Sequence, residues 1–378
     1  MAYAVGLISG TSMDGIDAAL VEIGCGDPRL VAFVTVPMAE ELRKRTMDCC
    51  SLGKSNIALA CSLNVELGYA FAAAAREVCL QAGFDMSQLD CIGSHGQTVY
   101  HIPVDEGDYK ASTLQFGEPA IIAYETGVQV VSSFRAMDMA AGGRGAPLVP
   151  YTEFLIYRGE KARALQNMGG IGNVTVLPRN CTLDQVTAFD TGPANMIIDE
   201  MCKRLYGKPY DEEGSLAAQG SAEEAVLDRW MAVPYITMPP PKATGREIFG
   251  AQFVDQALRE FPGISPGNWL HTATKYTALS MAENYRRFVF PKTAIDEIIL
   301  GGGGSHNKTL VAMIRELLPE CPVLTQEELG FSSDAKEAVA FAILAYETIY
   351  HRTGNVPSAT GASKPMILGN ITPAPYRG

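Results

Sequence analysis

At 378 residues the chain exceeds what one simple core accommodates and suits two domains around a ligand site. A net charge of −12, with only 30 Lys and Arg scattered along the sequence, argues against nucleic acid as a partner. With 47% apolar and 19% charged residues, a long disordered tract or a low-complexity interaction tail is excluded.

The N-terminus has no basic leader region and runs into a glycine turn, so no secretory signal is expected. No uninterrupted apolar run reaches the roughly 18 residues of a membrane span. The nine cysteines form no C-x-x-C pair and fall in apolar patterns, as small buried residues of a reducing, cytoplasmic compartment do. Five histidines without paired spacing argue against a transition-metal site.

In chain order, residues 3–9, 16–23 and 30–36 read as three β-strands joined by short turns, an antiparallel meander. Helical periodicity covers 56–82. Strand-like pieces follow at 91–94, 113–116 and 128–132, with a helix at 119–126 that opens on Glu118-Pro119. The second half repeats the style. Strands at 164–168, 173–177 and 185–189 precede a helix over 194–205. Helices at 271–290, 308–318 and 334–351 then alternate with strands at 297–300 and 322–324. Strands feeding helices through glycine turns indicate α/β units. The expected domains are 1–150 and 151–344, with the tail from about 345 to 378 packing back on the first. The prolines at 239–241 read as a loop.

Three turns suit a nucleotide. Gly10-Thr11-Ser12-Met13-Asp14-Gly15, with Ile16 and Asp17 beyond, offers backbone amides and two hydroxyls; Asp14 and Asp17 could orient Mg²⁺ through water. An ordinary Gly/Ser/Asp hairpin turn has the same composition. Asp190-Thr191-Gly192-Pro193 ends an apolar strand and opens a helix, which would place a carboxylate beside a phosphate-binding helix N-terminus; a simple N-cap reads the same way. Gly301-Gly302-Gly303-Gly304, with Asn307 beyond, is either a flexible loop or a backbone surface on which an adenine or ribose packs. No Walker A or G-x-G-x-x-G fingerprint is present. The order of the three turns is that of actin-like sugar kinases.

The sequence resembles one family within that superfamily, the anhydro-N-acetylmuramic acid kinases. The motifs that carry the resemblance are GTSMDGID (10–17), SHGQT (94–98), FRAMDMAAGGRGAPLVP (134–150), NMGGIGN (167–173), FDTGPAN (189–195), ATGREIF (243–249), GGGGSHN (301–307) and DAKEA (334–338). They span nearly the whole chain in family order. Ala194 stands where the family usually has glycine.

The resemblance implies a two-domain actin-like (ribonuclease H-like) fold with a nucleotide and sugar cleft between the domains, ATP and Mg²⁺ as cofactors, and a homodimer. It further implies a reaction in which ATP, water and 1,6-anhydro-N-acetylmuramic acid give N-acetylmuramic acid 6-phosphate and ADP, in peptidoglycan recycling. An anhydro sugar has no free 6-hydroxyl, so water must attack the anomeric carbon while O6 accepts the phosphoryl group. A carboxylate base is then required, and Asp190 matches the family's base position. His95, Gln97 and Thr98, expected at the end of a buried strand, Arg135, Asp138 and Glu337 are the candidate sugar-binding residues. Arg135 suits a carboxylate such as the lactyl group, while Arg135 and Asp138 could equally form a structural ion pair, and Glu337 a surface charge in a first helical turn. Lys242 and Arg246 read as solvated loop charges. Alternatives that share these motifs are a levoglucosan kinase, a hydroxyl-phosphorylating sugar kinase and a non-catalytic actin-like nucleotide-binding module.

Overall fold

The structure is a computed structural model that describes residues 1–10, 13–24, 27–51 and 53–375. In chain order the first part of the chain forms β1 Ala2–Ser9, β2 Gly15–Ile23, β3 Arg29–Pro37, α1 Glu40–Cys49, α2 Ile57–Gln81, β4 Cys91–Ile102, β5 Ser112–Phe116, α3 Pro119–Thr126, β6 Val130–Ser132, α4 Phe134–Ala140 and α5 Val149–Tyr157. The middle forms β7 Arg163–Met168, β8 Ile171–Leu177, β9 Thr187–Pro193, α6 Asn195–Tyr206, α7 Glu224–Met231, α8 Pro234–Thr237, α9 Arg246–Phe249, α10 Ala251–Glu260, α11 Pro266–Asn284, β10 Glu297–Gly301, α12 Lys308–Leu317 and β11 Val323–Thr325. The chain ends with α13 Lys336–Ile349, α14 Pro357–Thr360 and β12 Asn370–Thr372. Two compact units result: Met1–Ile156 with Ala335–Gly378, and Tyr157–Asp334.

In the first unit the sheet order is β12-β6-β4-β1-β2-β3, with β5 paired to the second half of β4. β1, β2 and β3 are antiparallel, whereas β4 is parallel to β1 and β6 parallel to β4. The second unit repeats this plan as β9-β8-β7-β10-β11, again three antiparallel strands followed by two parallel ones. Leaving out the β5 hairpin strand and the terminal β12, each unit thus has the order third-second-first-fourth-fifth, the ribonuclease H-like arrangement of the actin-like fold.

Period-two alternation sorts the first sheet's side chains. Val5 and Leu7 join a core with Leu63, Leu67, Phe71 and Ala75 of α2. Gly6, between them, faces α13. A Cβ there would sit 1.8 Å from the Ala338 carbonyl oxygen, and one on Gly93 of β4 would sit 2.1 Å from that of Phe341. Two bare strand positions thus let α13 lie directly on the sheet. By length and composition alone α2 could cross a bilayer. Its buried residues instead form one stripe against this sheet and α3, which leaves Glu66, Arg76 and Glu77 on the remaining surface. In the second unit α11 joins two cores. Ala278, Met281 and Ala282 pack with β7, β8 and β10, and Trp269, Ala273 and Tyr276 pack with Trp230 and Phe249.

Candidate active site

In the first unit the turn between β1 and β2 is tied down by its neighbours. Thr11 and Ser12 lie outside the described residues. Met13 is buried at φ 56° and donates its amide to the Gly10 carbonyl (3.2 Å). The Gly10 carbonyl also accepts from Gln97 Nε2 (3.3 Å), and the Ser9 hydroxyl donates to the Gly15 carbonyl (2.9 Å). Asp14 is exposed and ion-paired to Arg43 at 3.0 Å. Asp17 accepts a hydrogen bond from the Thr35 hydroxyl (2.6 Å), and the Ile16 side chain is core. Among the described residues no three metal-ligating side chains cluster. A magnesium ion here would therefore arrive with the nucleotide's phosphates, since it tolerates one or two carboxylates plus phosphate and water.

His95, Gln97 and Thr98 do not follow β4; they lie inside it, because the strand runs on to Ile102. The ladder shifts register between Leu7 and Ile8, opposite Gly96 at φ 76°, and β4 then continues as a hairpin with β5. Arg135, on α4, donates from Nε to His95 Nε2 (2.9 Å) and from Nη1 to the Gly145 carbonyl (2.6 Å). Since a guanidinium can only donate, His95 Nε2 accepts, so Nδ1 carries the proton and donates to the Gly96 carbonyl (2.9 Å). Burial, then the Arg135 charge, hold the His95 pKa well below the ordinary imidazole range, so the ring is neutral. Phe341 packs against that ring in a tilted pair, centroids 4.6 Å apart. Glu337, exposed in the first turn of α13, faces Arg135 closely enough to favour its charged form. The three residues form one group, with the Arg135 Nη2 donors left without a partner among the described residues.

Asp138 departs from expectation. It is fully buried, Oδ1 accepts from Asn355 Nδ2 and the Thr360 hydroxyl (both 2.7 Å), and Oδ2 accepts from the Gly145 amide (2.8 Å). These three bonds staple the glycine-rich segment to the 355–360 segment, and with no exposed surface the side chain is not presented to a sugar. The Asp138 charge nevertheless bears on Arg135, together with that of Glu337, and favours the charged guanidinium.

In the second unit Asp190 is within β9, which extends to Pro193; the Asp-Thr-Gly sequence is strand with a bulge, not a turn. The amides of Ala194, Asn195 and Met196, at the start of α6, donate to the Gly169 and Gly170 carbonyls (2.9–3.0 Å), so those donors are not available to a phosphate. Thr191 is fully buried and accepts from Gln166 Nε2 (3.0 Å). Asp190 Oδ2 accepts from the Thr244 amide (2.9 Å) and Oδ1 has no partner among the described residues. Burial raises its pKa to about 6, against the Thr244 hydrogen bond and the Lys242 charge, with Glu247 adding to the rise. Lys242 is not a solvated charge: it is 5% exposed, beside Asp190. Thr244 and Glu247 fall in the ATGREIF motif and Lys242 reads by sequence as a solvated charge; their place beside Asp190 is not legible there, since nothing local marks a loop that folds back on a distant strand.

The glycine run is used largely by the protein itself. Gly302 has φ 80°, and a Cβ there would lie 2.8 Å from Asn167 Oδ1 and 3.1 Å from the Met168 backbone. Gly304 packs on Met168 too. Gly301 ends β10, and Asn307 caps α12, accepting from the Leu310 amide (2.9 Å). Gly303 alone of the four opens outward, onto a cavity of about 490 Å³ lined by Asn195, Asp199, Tyr210, His306 and Asn307. Burial raises the Asp199 pKa to about 7.

The arrangement offers a half-buried carboxylate poised near neutrality and, in the same unit, a cavity beside a glycine run. The other unit offers an arginine, a neutral histidine and a glutamate. Comparisons with known proteins agree. The family model for anhydro-N-acetylmuramic acid kinase matches residues 2–374. The anhydro-N-acetylmuramic acid kinase of Bacillus cereus (strain Q1) is 54% identical over 377 residues, covering 98% of this chain and 99% of the relative. That of Clostridioides difficile (strain 630) is 50% identical over 382 residues, covering 100% of both. Among solved structures, the (R)-2-hydroxyglutaryl-CoA dehydratase component A of Acidaminococcus fermentans aligns with TM-score 0.48 at 11% identity, over 93% of this chain and 100% of that one. The chain belongs to the anhydro-N-acetylmuramic acid kinase family.

Proposed function

We propose that this protein uses ATP and Mg²⁺ to convert 1,6-anhydro-N-acetylmuramic acid and water to N-acetylmuramic acid 6-phosphate and ADP, a step of peptidoglycan recycling in the cytoplasm. The observation that carries the reading is Asp190: a carboxylate with one oxygen held by the Thr244 amide, the other free, and a pKa near 6. A base of that strength is ionised at neutral pH and still takes a proton readily. In the proposed step Asp190 Oδ1 takes a proton from water as its oxygen bonds to the anomeric carbon. The C1–O6 bond breaks, and O6 accepts the γ-phosphoryl group of ATP. Arg135, with free Nη2 donors, is suited to the lactyl carboxylate, and Glu337 and the β4 residues His95, Gln97 and Thr98 to the sugar's polar groups. Gly10–Asp17 and Gly192 are assigned to the phosphates. Gly301, Gly302, Gly303 and Asn307 are assigned to the adenosine, with Gly303 the one whose backbone faces open space. When bound, Mg²⁺ would neutralise charge on the transferred phosphoryl group, with Asp14 or Asp17 reaching it through water. The net charge of −12 argues against a nucleic-acid role, and a homodimer is the expected assembly.

The test is product formation. With ATP, Mg²⁺ and 1,6-anhydro-N-acetylmuramic acid, mass spectrometry should find the 6-phosphate, and levoglucosan, which has no lactyl carboxylate, should compete poorly. Exclusive turnover of levoglucosan would overturn the substrate assignment. Asp190→Asn should lose about 10²–10⁴-fold in kcat with ATP binding retained.

A further inference from the structure

Lys242 is the least expected group around Asp190. Ammonium groups this deeply buried ordinarily face a carboxylate. This one donates to the Tyr235 and Ile236 carbonyls (3.0 and 3.2 Å) and lies over the Tyr235 and Phe288 rings, 4.8 and 5.2 Å from their centroids. Those carbonyls belong to α8, whose Tyr235 hydroxyl donates to the Asp190 carbonyl (3.3 Å). The Lys242 carbonyl accepts the Asp190 amide (3.3 Å), and Thr244, two residues on, supplies the amide that holds Asp190 Oδ2. One side chain therefore clamps together the two segments that frame Asp190.

We propose that Lys242 is the positioning residue of the water-activating carboxylate: its ammonium ties α8 to the 242–244 segment around Asp190 and keeps a positive charge beside that half-buried carboxylate. The proposal rests on the reading of Asp190 as the base. The charged groups that bear on Asp190 are Lys242 and Glu247; the Tyr235 hydroxyl reaches it from α8, and neutral Asn173 stands opposite on β8. Burial lowers the Lys242 pKa to about 8, so it remains mostly cationic at neutral pH, where it favours the ionised form of Asp190.

The test compares wild type, Lys242→Met, Lys242→Arg and Asp190→Asn in the full-length protein, with ATP, Mg²⁺ and 1,6-anhydro-N-acetylmuramic acid. The readouts are kcat/KM from pH 5 to 9, ATP affinity and the urea midpoint. Lys242→Met should move the acid limb upward by about one pH unit, because the carboxylate loses its cation. Its kcat at pH 7 should fall at least tenfold, with ATP affinity within about twofold of wild type. Lys242→Arg should keep the acid limb in place and restore most of kcat. A Lys242→Met variant that folds with an unshifted acid limb would overturn the proposal. Should it not fold, an acid limb displaced in Lys242→Arg would do the same. Full activity in Asp190→Asn would overturn the base assignment itself; an inactive Asp190→Asn beside an unshifted Lys242→Met removes only the role of Lys242.

Discussion

Asp138 and Lys242 are charged side chains taken out of water and Asp190 is one only partly so, and each is compensated differently. Asp138 receives three hydrogen bonds, so Asp138→Ala should strand Asn355, Thr360 and the Gly145 amide. The expected loss is on the order of 3 kcal/mol, read as a lower urea midpoint with the slope unchanged. Asp190 receives one amide and a nearby cation, too little to offset its burial, which is why its pKa lies at about 6 instead of 3.8. Two consequences follow in opposite directions. The base works only when ionised, so kcat/KM should rise with pH through about 6 and be lost below it. A carboxyl whose folded pKa is raised binds more protons folded than unfolded, so it costs stability as pH rises from about 4 through 6. Asp190→Asn should therefore gain on the order of 2 kcal/mol relative to wild type at pH 7.5, and nothing comparable at pH 4. Thermal melts of both proteins at the two pH values check this, and equal offsets at both would count against this description of the base.

At the scale of elements, the turns and strands were legible where local chemistry determines them. The alternating patterns of β1 to β3 and the Asn56 cap that opens α2, accepting from the Leu59 amide, agree with the sequence reading to within a residue. The reading failed where a strand continues through polar and glycine residues. Ser-His-Gly-Gln-Thr and Asp-Thr-Gly-Pro resemble turns by composition, but a bulge at each lets the ladder absorb them. The glycine run is expected to face a ligand, and three of its four glycines instead pack on neighbouring parts of the protein. A lone sequence cannot distinguish glycines that admit a ligand from glycines that admit a neighbouring strand. The structure makes the distinction testable. Gly302→Ala should cost about 1–3 kcal/mol, through its positive φ and its contact with Asn167 and Met168. Gly303→Ala should change stability by less than about 0.5 kcal/mol while raising KM for ATP, since its Cβ would enter the cavity.

At the scale of the whole molecule, the same start, third-second-first-fourth with a further parallel strand beyond, recurs in both sheets from unrelated stretches of sequence. In each, the hairpin after the first strand carries glycines, Gly10 and Gly15 in one unit and Gly169 and Gly170 in the other. The family resemblance was legible because its motifs are short continuous runs such as GTSMDGID, FDTGPAN and GGGGSHN. Lys242 was not, because its significance depends on a loop returning to β9 from 52 positions further along the chain. The claim that unites these observations is that the protein opens an anhydro ring with water while it transfers phosphate. The direct measurement is turnover of 1,6-anhydro-N-acetylmuramic acid with ATP and Mg²⁺ in H₂¹⁸O, followed by mass spectrometry of the product. One ¹⁸O at the anomeric carbon and none in the phosphate is the predicted result. A phosphorylated sugar with its anhydro ring intact, or with ¹⁸O in the phosphoryl group, would contradict it.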